Sequence, residues 1–135
     1  MTETLLLGLS GGADSAVSAG LAARALGVSV EDPIAAEGLA FFREHYSAHM
    51  LDQAALYPGV ADGIRRLRER GKALAVVSNK PEAMCVAILA ALGLGEAFAV
   101  VLGGDSAPRK KPDPALVSRA LAGIGVPPEN AAMVG

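Results

Sequence analysis

The sequence has almost no cysteine, few aromatic residues and no excess of positive charge. Cys85 is the only cysteine, so no disulfide can form within the chain, and this favours a reducing, cytoplasmic environment. The 12 lysine and arginine residues are balanced by 14 aspartate and glutamate residues, so the charge gives no support to nucleic-acid binding. The residues after Met1 lack the basic start and long apolar run of a secretory signal.

A convincing membrane span is lacking as well. Residues 83–102 carry one charge, at Glu96, but Gly93 and Gly95 interrupt this apolar run. The first part of the run has helical spacing, and residues 98–102 have the composition of a strand. The pattern therefore predicts a helix, a turn and a buried strand, with no contact with a membrane.

What the chain does have is enough apolar sequence for one compact core. It has 135 residues, of which 52% are hydrophobic and 19% charged. From residue 73 onward, predicted strands alternate with predicted helices, which indicates an α/β fold with a Rossmann-like parallel sheet. Strands are predicted at residues 73–77, 99–102 and 131–134. Helices are predicted from Val60 to just before Gly71, at residues 81–92 and at residues 112–124.

The earlier part of the chain, residues 1–56, is predicted to be a helical fragment separate from a core at residues 57–135. An alanine-rich helix over residues 13–26 ends at Gly27, and Asp32-Pro33 begins a second helix. The second helix has apolar residues at the spacing of one helical face, namely Leu39, Phe42, Tyr46 and Met50.

Candidate functional residues follow the predicted strands, because ligands of a parallel α/β sheet bind beyond the carboxyl ends of its strands. Ser78-Asn79-Lys80 offers a hydroxyl, an amide and backbone N–H groups to an anion. Gly103-Gly104-Asp105 follows the next strand, and Lys111 lies in a basic segment after it. The alternatives are that Ser78 and Asn79 cap the following helix and that the lysines form an exposed basic loop.

In order and spacing, these segments resemble the haloacid dehalogenase (HAD) superfamily of phosphatases. The resemblance begins at Tyr57-Pro58-Gly59-Val60 and ends at Val134-Gly135, with "SNKP", "GGD" and "KPDP" between them. It is closest in pattern to the phosphoglycolate phosphatase branch. The resemblance implies Mg²⁺-dependent hydrolysis of a small phosphorylated metabolite through an aspartyl-phosphate, with a HAD-like α/β core at residues 57–135 and residues 1–56 as a helical cap fragment.

The same resemblance assigns roles to the candidate residues. Ser78 would bind a phosphoryl oxygen, and Lys111 would steady both the nucleophilic aspartate and the phosphoryl group. Asn79 and Lys80 would support phosphate binding. Three further residues would shape the binding loop, namely Gly103, Gly104 and Asp105.

The chain departs from the HAD pattern in its acidic motifs. The family's first motif is a strand that ends in Asp-x-Asp, and no Asp-x-Asp occurs in this chain. The last acidic motif would follow Gly135, so no metal ligands are assigned here. We therefore expect the chain to be inactive alone, and a non-catalytic fragment is the alternative to an enzyme. Since the first strand is central in the family's sheet, its absence predicts open sheet edges, self-association and loss of cooperative unfolding.

A second resemblance concerns Ser10-Gly11-Gly12-Ala13-Asp14-Ser15, which is similar to the SGG-x-DS signature of the PP-loop ATP pyrophosphatases, NAD synthetases in particular. Residues 5–9 could form the strand before it, with residues up to 26 as the helix. Glycines at these positions would let the backbone approach a pyrophosphate. A glycine-rich start of a cap helix explains the same residues, so ATP binding remains an alternative.

Three other features are assigned to structure rather than chemistry. Residues 8–12 match the G-x-S-x-G pattern of a nucleophile elbow, but the triad would need a histidine late in the chain. The two histidines, His45 and His49, lie in one predicted helix and are interpreted as helix surface. Cys85 lies in an apolar helix and is interpreted as a core residue.

Overall fold

The computed structural model describes residues 4–8, 23–24, 27–52 and 54–134. These residues fall into two compact units, which we call the core unit and the helical unit. The core unit consists of Thr4–Gly8 with residues 54–134, and the helical unit consists of the described residues between 23 and 52. The structure differs from the predicted division at residue 56, because both Thr4–Gly8 and residues 54–56 lie in the core unit.

The core unit is built on a four-stranded parallel sheet with the strand order β3-β2-β1-β4. The regular elements in chain order are β1 (Thr4–Gly8), α1 (Pro33–His49), α2 (Val60–Glu69), β2 (Leu74–Val77), α3 (Glu82–Ala91), β3 (Val100–Leu102), α4 (Ala115–Ile124), a 3₁₀ turn (Pro128–Asn130) and β4 (Ala131–Val134). The α/β fold with a parallel sheet is therefore confirmed, and each predicted core strand and helix lies within a few residues of its predicted position.

The prediction of a missing central strand is wrong. β1 lies between β2 and β4, with Leu5 opposite both Leu74 and Ala132. The backbone groups of β2 and β4 that face the middle of the sheet are thus paired with β1. A short apolar run such as residues 4–8 is typical of a buried strand, but its place in a sheet depends on pairing with residues about 70 and 130 positions away. Local periodicity carries no information about that pairing.

A continuous apolar core packs between the sheet and α4. It is formed by Ala75, Val77, Leu102, Leu116, Ala120 and Leu121. Leu116 and Ala120 are completely buried, so they lie on the face of α4 that packs against the sheet. The helix ends before Gly125, which has a φ of +68°, a backbone conformation that glycine adopts without the steric cost of a Cβ atom.

The helical unit contains α1, which starts as the sequence predicts. Asp32 is its N-cap, and the Asp32 carboxylate accepts a hydrogen bond of 2.9 Å from the Ile34 N–H. Ala35 is buried, whereas Phe41 remains 72% exposed. Of the helix predicted over residues 13–26, only Ala23 and Arg24 lie within the described residues, and both are helical.

The apolar segment at residues 83–102 forms α3, a turn and β3, as the sequence predicts. No helix in the described part of the chain is long and apolar enough to span a membrane. Cys85 lies on the buried side of α3 and is inaccessible to solvent.

Candidate functional site

The loops after β2 and β3 meet at the carboxyl edge of the sheet. The Ser78 N–H donates to the Leu102 carbonyl at 3.0 Å, and the Gly104 N–H donates to the Lys80 carbonyl at 2.7 Å. These bonds join the segment that contains Ser78, Asn79 and Lys80 to the segment that begins at Gly103. The structure therefore brings together the two groups of residues that the sequence analysis selected separately.

Ser78 is the first residue after β2 and is 1% exposed. Its Oγ accepts a hydrogen bond of 3.2 Å from the Lys80 N–H, which closes a short turn at the end of the strand. The Cys85 thiol lies behind this turn. Burial raises the pKa of Cys85, and the hydrogen bond with Ser78 and the charge of Lys80 lower it in part. The Ser78 hydroxyl is thus held in a fixed position with apolar structure on its inner side.

Asn79 and Lys111 are joined by two hydrogen bonds, although 32 residues separate them in sequence. The Asn79 side-chain nitrogen donates to the Lys111 carbonyl at 3.1 Å. The Lys111 N–H donates to the Asn79 side-chain oxygen at 2.8 Å. The side-chain amide of Asn79 therefore pairs with the main chain of Lys111 in the manner of a strand-to-strand pairing, and brings Lys111 to the loop that carries Ser78.

Asp105 has a structural role that the sequence did not reveal. Its carboxylate accepts a hydrogen bond of 2.7 Å from the N–H of Glu82, the first residue of α3. The N-cap position of α3 is Pro81, which provides no side-chain cap. The alternative in which Ser78 and Asn79 cap this helix is therefore wrong, because the capping oxygen comes from the loop after β3.

Ser106 completes the connection between this loop and α3. Its hydroxyl accepts a hydrogen bond of 2.8 Å from the Gly103 N–H and donates to the Glu82 carboxylate. The carboxylates of Asp105 and Glu82 are thus both engaged at the start of α3, and they offset part of the positive charge of the nearby lysines.

Gly103 and Gly104 are required because the two loops approach so closely. A Cβ atom on Gly103 would lie 2.6 Å from the Lys80 carbonyl oxygen, and one on Gly104 would lie 2.5 Å from the Asn79 carbonyl oxygen. Neither contact is sterically acceptable, and the neighbours are backbone atoms that cannot move independently. The two glycines therefore permit the close approach of the loops after β2 and β3.

Several cations surround this edge of the sheet. Lys80 and Lys111 are half-buried, and Lys110 is exposed. Arg109 contacts the Asp113 carboxylate at 3.2 Å, and that carboxylate accepts a hydrogen bond of 2.9 Å from Ala115, the first residue of α4. Arg109 and Asp113 therefore stabilise the loop before α4. The lysines, by contrast, lie close to the loop that carries the Ser78 hydroxyl. A hydroxyl and lysine ammonium groups together suit a multiply charged oxyanion.

A sequence model of the haloacid dehalogenase-like hydrolase family matches residues 8–135. The chain belongs to this family. It is 38% identical over 106 residues to a phosphoglycolate phosphatase of Pseudomonas putida, with 78% of this chain and 39% of that protein covered. It is also 38% identical over 126 residues to a phosphoglycolate phosphatase of Rhodospirillum rubrum, with 92% of this chain and 52% of that protein covered. The chain thus spans about half the length, or less, of these curated relatives.

Solved structures of HAD proteins share the fold. The structure of a "predicted phosphoglycolate phosphatase" from Haemophilus somnus has a TM-score of 0.83 at 23% identity, covering 98% of this chain and 76% of that one. CbbY from Rhodobacter sphaeroides has a TM-score of 0.72 at 23% identity, covering 98% of this chain and 77% of that one. The HAD resemblance seen in the sequence is confirmed. The PP-loop resemblance gains no support from these matches, and residues 10–15 lie outside the described residues.

The HAD family pattern has its two aspartates at the end of its first strand, and β1 has the central place expected of that strand. β1 ends at Gly8, and Ser10 follows two positions later in the sequence. Gly8 and Ser10 thus stand where the pattern has Asp-x-Asp. The strand is present in this chain, but the carboxylates are not.

Mg²⁺, which the HAD resemblance implies, finds no ligand set in the described structure. Among residues 4–8, 23–24, 27–52 and 54–134, no group of three or more His, Cys, Asp or Glu side chains could hold a metal ion. Mg²⁺ takes near-octahedral oxygen ligands, and the carboxylates of Asp105 and Glu82 are engaged in hydrogen bonds at the start of α3. His45 and His49 lie on exposed α1, where His49 contacts Asp52 at 2.7 Å.

The capping role of Asp105, the bonds of Ser106 and Glu82 and the partner of Asn79 were not predicted from the sequence. One signal could have indicated the first of these, because a helix that begins after a proline without a Ser, Thr, Asp or Asn cap needs an acceptor from elsewhere. No comparable signal exists for Asn79. Its hydrogen-bonding partner is a main-chain group, and main-chain groups look the same at every position of a sequence.

Proposed function

We propose that this chain provides the phosphoryl-binding part of a HAD phosphatase that acts on a small phosphorylated metabolite of the phosphoglycolate type. The observation that carries the proposal is the pair of hydrogen bonds between the Asn79 side chain and the Lys111 main chain, which brings a lysine to the loop of the buried Ser78 hydroxyl. The curated relatives that are 38% identical support the substrate class. They are named phosphoglycolate phosphatases.

The roles of the two principal residues follow from their chemistry. The Lys111 ammonium would neutralise charge on the phosphoryl oxygens, and a lysine suits this role because it is a compact, mobile point charge. The Ser78 hydroxyl would donate one hydrogen bond to a phosphoryl oxygen. Lys80, which is half-buried in the loop after β2, would add a second positive charge to this site.

Hydrolysis through an aspartyl-phosphate requires a carboxylate that attacks phosphorus and then leaves as water attacks the intermediate. Gly8 and Ser10 provide no carboxylate where the family pattern has one. We therefore infer that the chain binds phosphate esters without hydrolysing them. Mg²⁺ remains an expectation from the family resemblance, and no step is derived through it because the described residues do not form its site.

A cytoplasmic location and self-association are also part of the proposal. The reducing environment is inferred from the single cysteine, Cys85. Self-association would use the edge of β4, where Ala132, Met133 and Val134 are exposed and no side chain is charged. β4 pairs with β1 on one side, and it is an outer strand of the described sheet.

The direct test is a titration of the purified chain with inorganic phosphate and with phosphoglycolate, followed by calorimetry or by NMR shifts. We expect saturable binding that Lys111→Ala weakens by about tenfold or more, since a charged hydrogen bond to phosphate contributes about 1.5–3 kcal/mol. Ser78→Ala should weaken it less, because it removes one neutral hydrogen bond. Arg66→Ala, on the exposed face of α2, is the control and should bind like the wild type. Absence of saturable binding by the wild type would overturn the proposal.

A further inference from the structure

We propose that Asn79 is a positioning residue, which fixes Lys111 at the phosphoryl-binding site and thereby sets the affinity for phosphate. This inference rests on the proposed function. It assigns Asn79 to the main chain of Lys111 rather than to the ligand. From the family resemblance alone, Asn79 has only a general supporting role in phosphate binding.

Both polar atoms of the Asn79 side-chain amide form hydrogen bonds with the main chain of a single residue, Lys111. The Asn79 Nδ2 donates to the Lys111 carbonyl at 3.1 Å, and the Asn79 Oδ1 accepts from the Lys111 N–H at 2.8 Å. Only an amide side chain can donate and accept side by side in this way. The rotated amide would place its NH₂ against the Lys111 N–H and its oxygen against the carbonyl, so both bonds specify the same orientation.

The position of Lys111 in its loop explains why such a bond matters. The loop between β3 and α4 is held to its surroundings near both ends. At the first end, the Asp105 carboxylate accepts a hydrogen bond from the Glu82 N–H. At the second end, the Asp113 carboxylate accepts one from the Ala115 N–H. Lys111 lies between these points, and the Asn79 amide ties it to the loop after β2. Loss of the amide would therefore release the main chain of Lys111 while the loop stays attached at both ends.

Release of the Lys111 backbone would reduce phosphate affinity for two reasons. The Lys111 ammonium group would sample positions farther from the phosphate, and it would lose more conformational entropy when phosphate binds. The lysine side chain is flexible, so the location of its Cα atom decides which region the ammonium group samples. A binding group that is not held in place must be ordered when the ligand binds, and this ordering lowers affinity. Asn79 is itself exposed and buries little apolar surface, so its loss should affect binding more than stability.

The experiment compares Asn79→Ala and Asn79→Asp with the wild type by phosphate titration and thermal unfolding. Both variants should weaken phosphate binding by about tenfold, equivalent to about 1.4 kcal/mol. Asn79→Asp keeps the acceptor for the Lys111 N–H but places a carboxylate oxygen against the Lys111 carbonyl. The unfolding midpoint should change little. Asn130→Ala replaces the other asparagine of the chain and serves as the matched control.

A double-mutant cycle separates positioning from direct contact with the ligand. If Asn79 acts through Lys111, the double variant Asn79→Ala with Lys111→Ala should bind phosphate as weakly as Lys111→Ala alone, with affinities read from NMR shifts into the millimolar range. Additive effects would mean that Asn79 contacts the phosphate itself, and they would overturn the inference. Wild-type affinity in Asn79→Ala, together with loss in Lys111→Ala, would also overturn it and leave the proposed function intact. If the wild type binds no phosphate, the proposed function fails first.

Hydrogen exchange at the Lys111 amide gives a reading that does not depend on a ligand. This amide should be protected in the wild type and in Asn130→Ala, and it should exchange faster in Asn79→Ala. Unchanged protection in Asn79→Ala would show that the hydrogen bonds of the Asn79 side chain do not hold the Lys111 main chain, and the inference would then be rejected.

Discussion

Gly8, the last residue of β1, lies opposite Val77, the last residue of β2, in the parallel register of the two strands. Val77 is followed directly by the buried Ser78, so Gly8 ends its strand at the same level of the sheet as the candidate site. This register completes the centre of the sheet and places a residue without a side chain where the HAD family pattern has its first aspartate.

The chain should not hydrolyse phosphate esters. Lys111 and Ser78 can stabilise charge, but neither replaces the carboxylate that the covalent intermediate requires. The measurement is a turnover assay of the purified chain with phosphoglycolate and a chromogenic phosphate ester in the presence of Mg²⁺. Turnover that persists through purification and disappears in Lys111→Ala would contradict this expectation.

A carboxylate introduced at Gly8 should weaken phosphate binding. The end of β1 is level with Ser78, and two like charges several ångströms apart repel by about 1–3 kcal/mol at an effective dielectric constant of about 20. We therefore expect Gly8→Asp to bind phosphate about tenfold more weakly than Gly8→Asn. The asparagine variant is the matched control because it adds the same bulk without the charge. Equal affinities, or a difference that does not shrink at high salt, would place Gly8 away from the bound phosphate.

Gly103→Ala should destabilise the core unit. The new methyl group would meet the backbone at the start of α3 and the Lys80 carbonyl, and overpacking against backbone costs about 1–3 kcal/mol. Gly63→Ala is the control, because Gly63 lies within α2 with open space around its Cβ position. It should stabilise the protein by about 0.5–1 kcal/mol. Denaturant unfolding measures both, and equal midpoints for the two variants would count against the close loop contact.

Cys85 should react slowly with thiol reagents in the folded protein. Burial raises the pKa of its thiol above the ordinary value of 9.0, so little thiolate forms and the reagent has no access. The unfolded chain ionises at a lower pH than the folded one. The resulting stability is therefore fully present below about pH 9.0 and is lost as the pH rises through the folded-state pKa.

The test is alkylation of Cys85 with and without denaturant, together with denaturant unfolding between pH 8 and pH 11. Cys85→Ala should lack the part of the pH dependence that the thiol causes. Labelling of the native protein at the rate of the unfolded chain would show that Cys85 is accessible.

The exposed edge of β4 should drive association while the core unit unfolds cooperatively. With β1 in the centre of the sheet, the reason to expect loss of cooperative unfolding no longer applies. β4 nevertheless presents Met133 and Val134, which are 51% and 45% exposed. Met133→Lys should lower the apparent mass in size-exclusion chromatography at high concentration, because a lysine on an edge strand opposes pairing with another chain.

Val86→Lys is the matched control for the edge, since Val86 is also 51% exposed but lies on α3. It should leave the association unchanged. If Met133→Lys and Val86→Lys reduce association equally, the contact depends on general apolar exposure rather than on the β4 edge.

Local patterns were sufficient for most of the core elements. The apolar run that ends in Val77 predicted β2, and the helix predicted at residues 112–124 corresponds to α4. Gly125 ended α4 where the sequence indicated, because glycine accepts a positive φ at the end of a helix. The same patterns did not locate Thr4–Gly8 in the sheet. That short run is compatible with a strand in many settings, and only its pairing with β2 and β4 selects one.

By itself, the sequence determined the class of fold, the family and the set of candidate residues, because apolar periodicity and short motifs are encoded by neighbours along the chain. The tertiary structure alone decided which of these residues work together. The Asn79 amide bonds to the main chain of Lys111, and Asp105 caps α3 through Glu82. Both contacts join segments more than 20 residues apart through backbone groups, which every residue other than proline carries alike, so only the folded arrangement of the strands could select them.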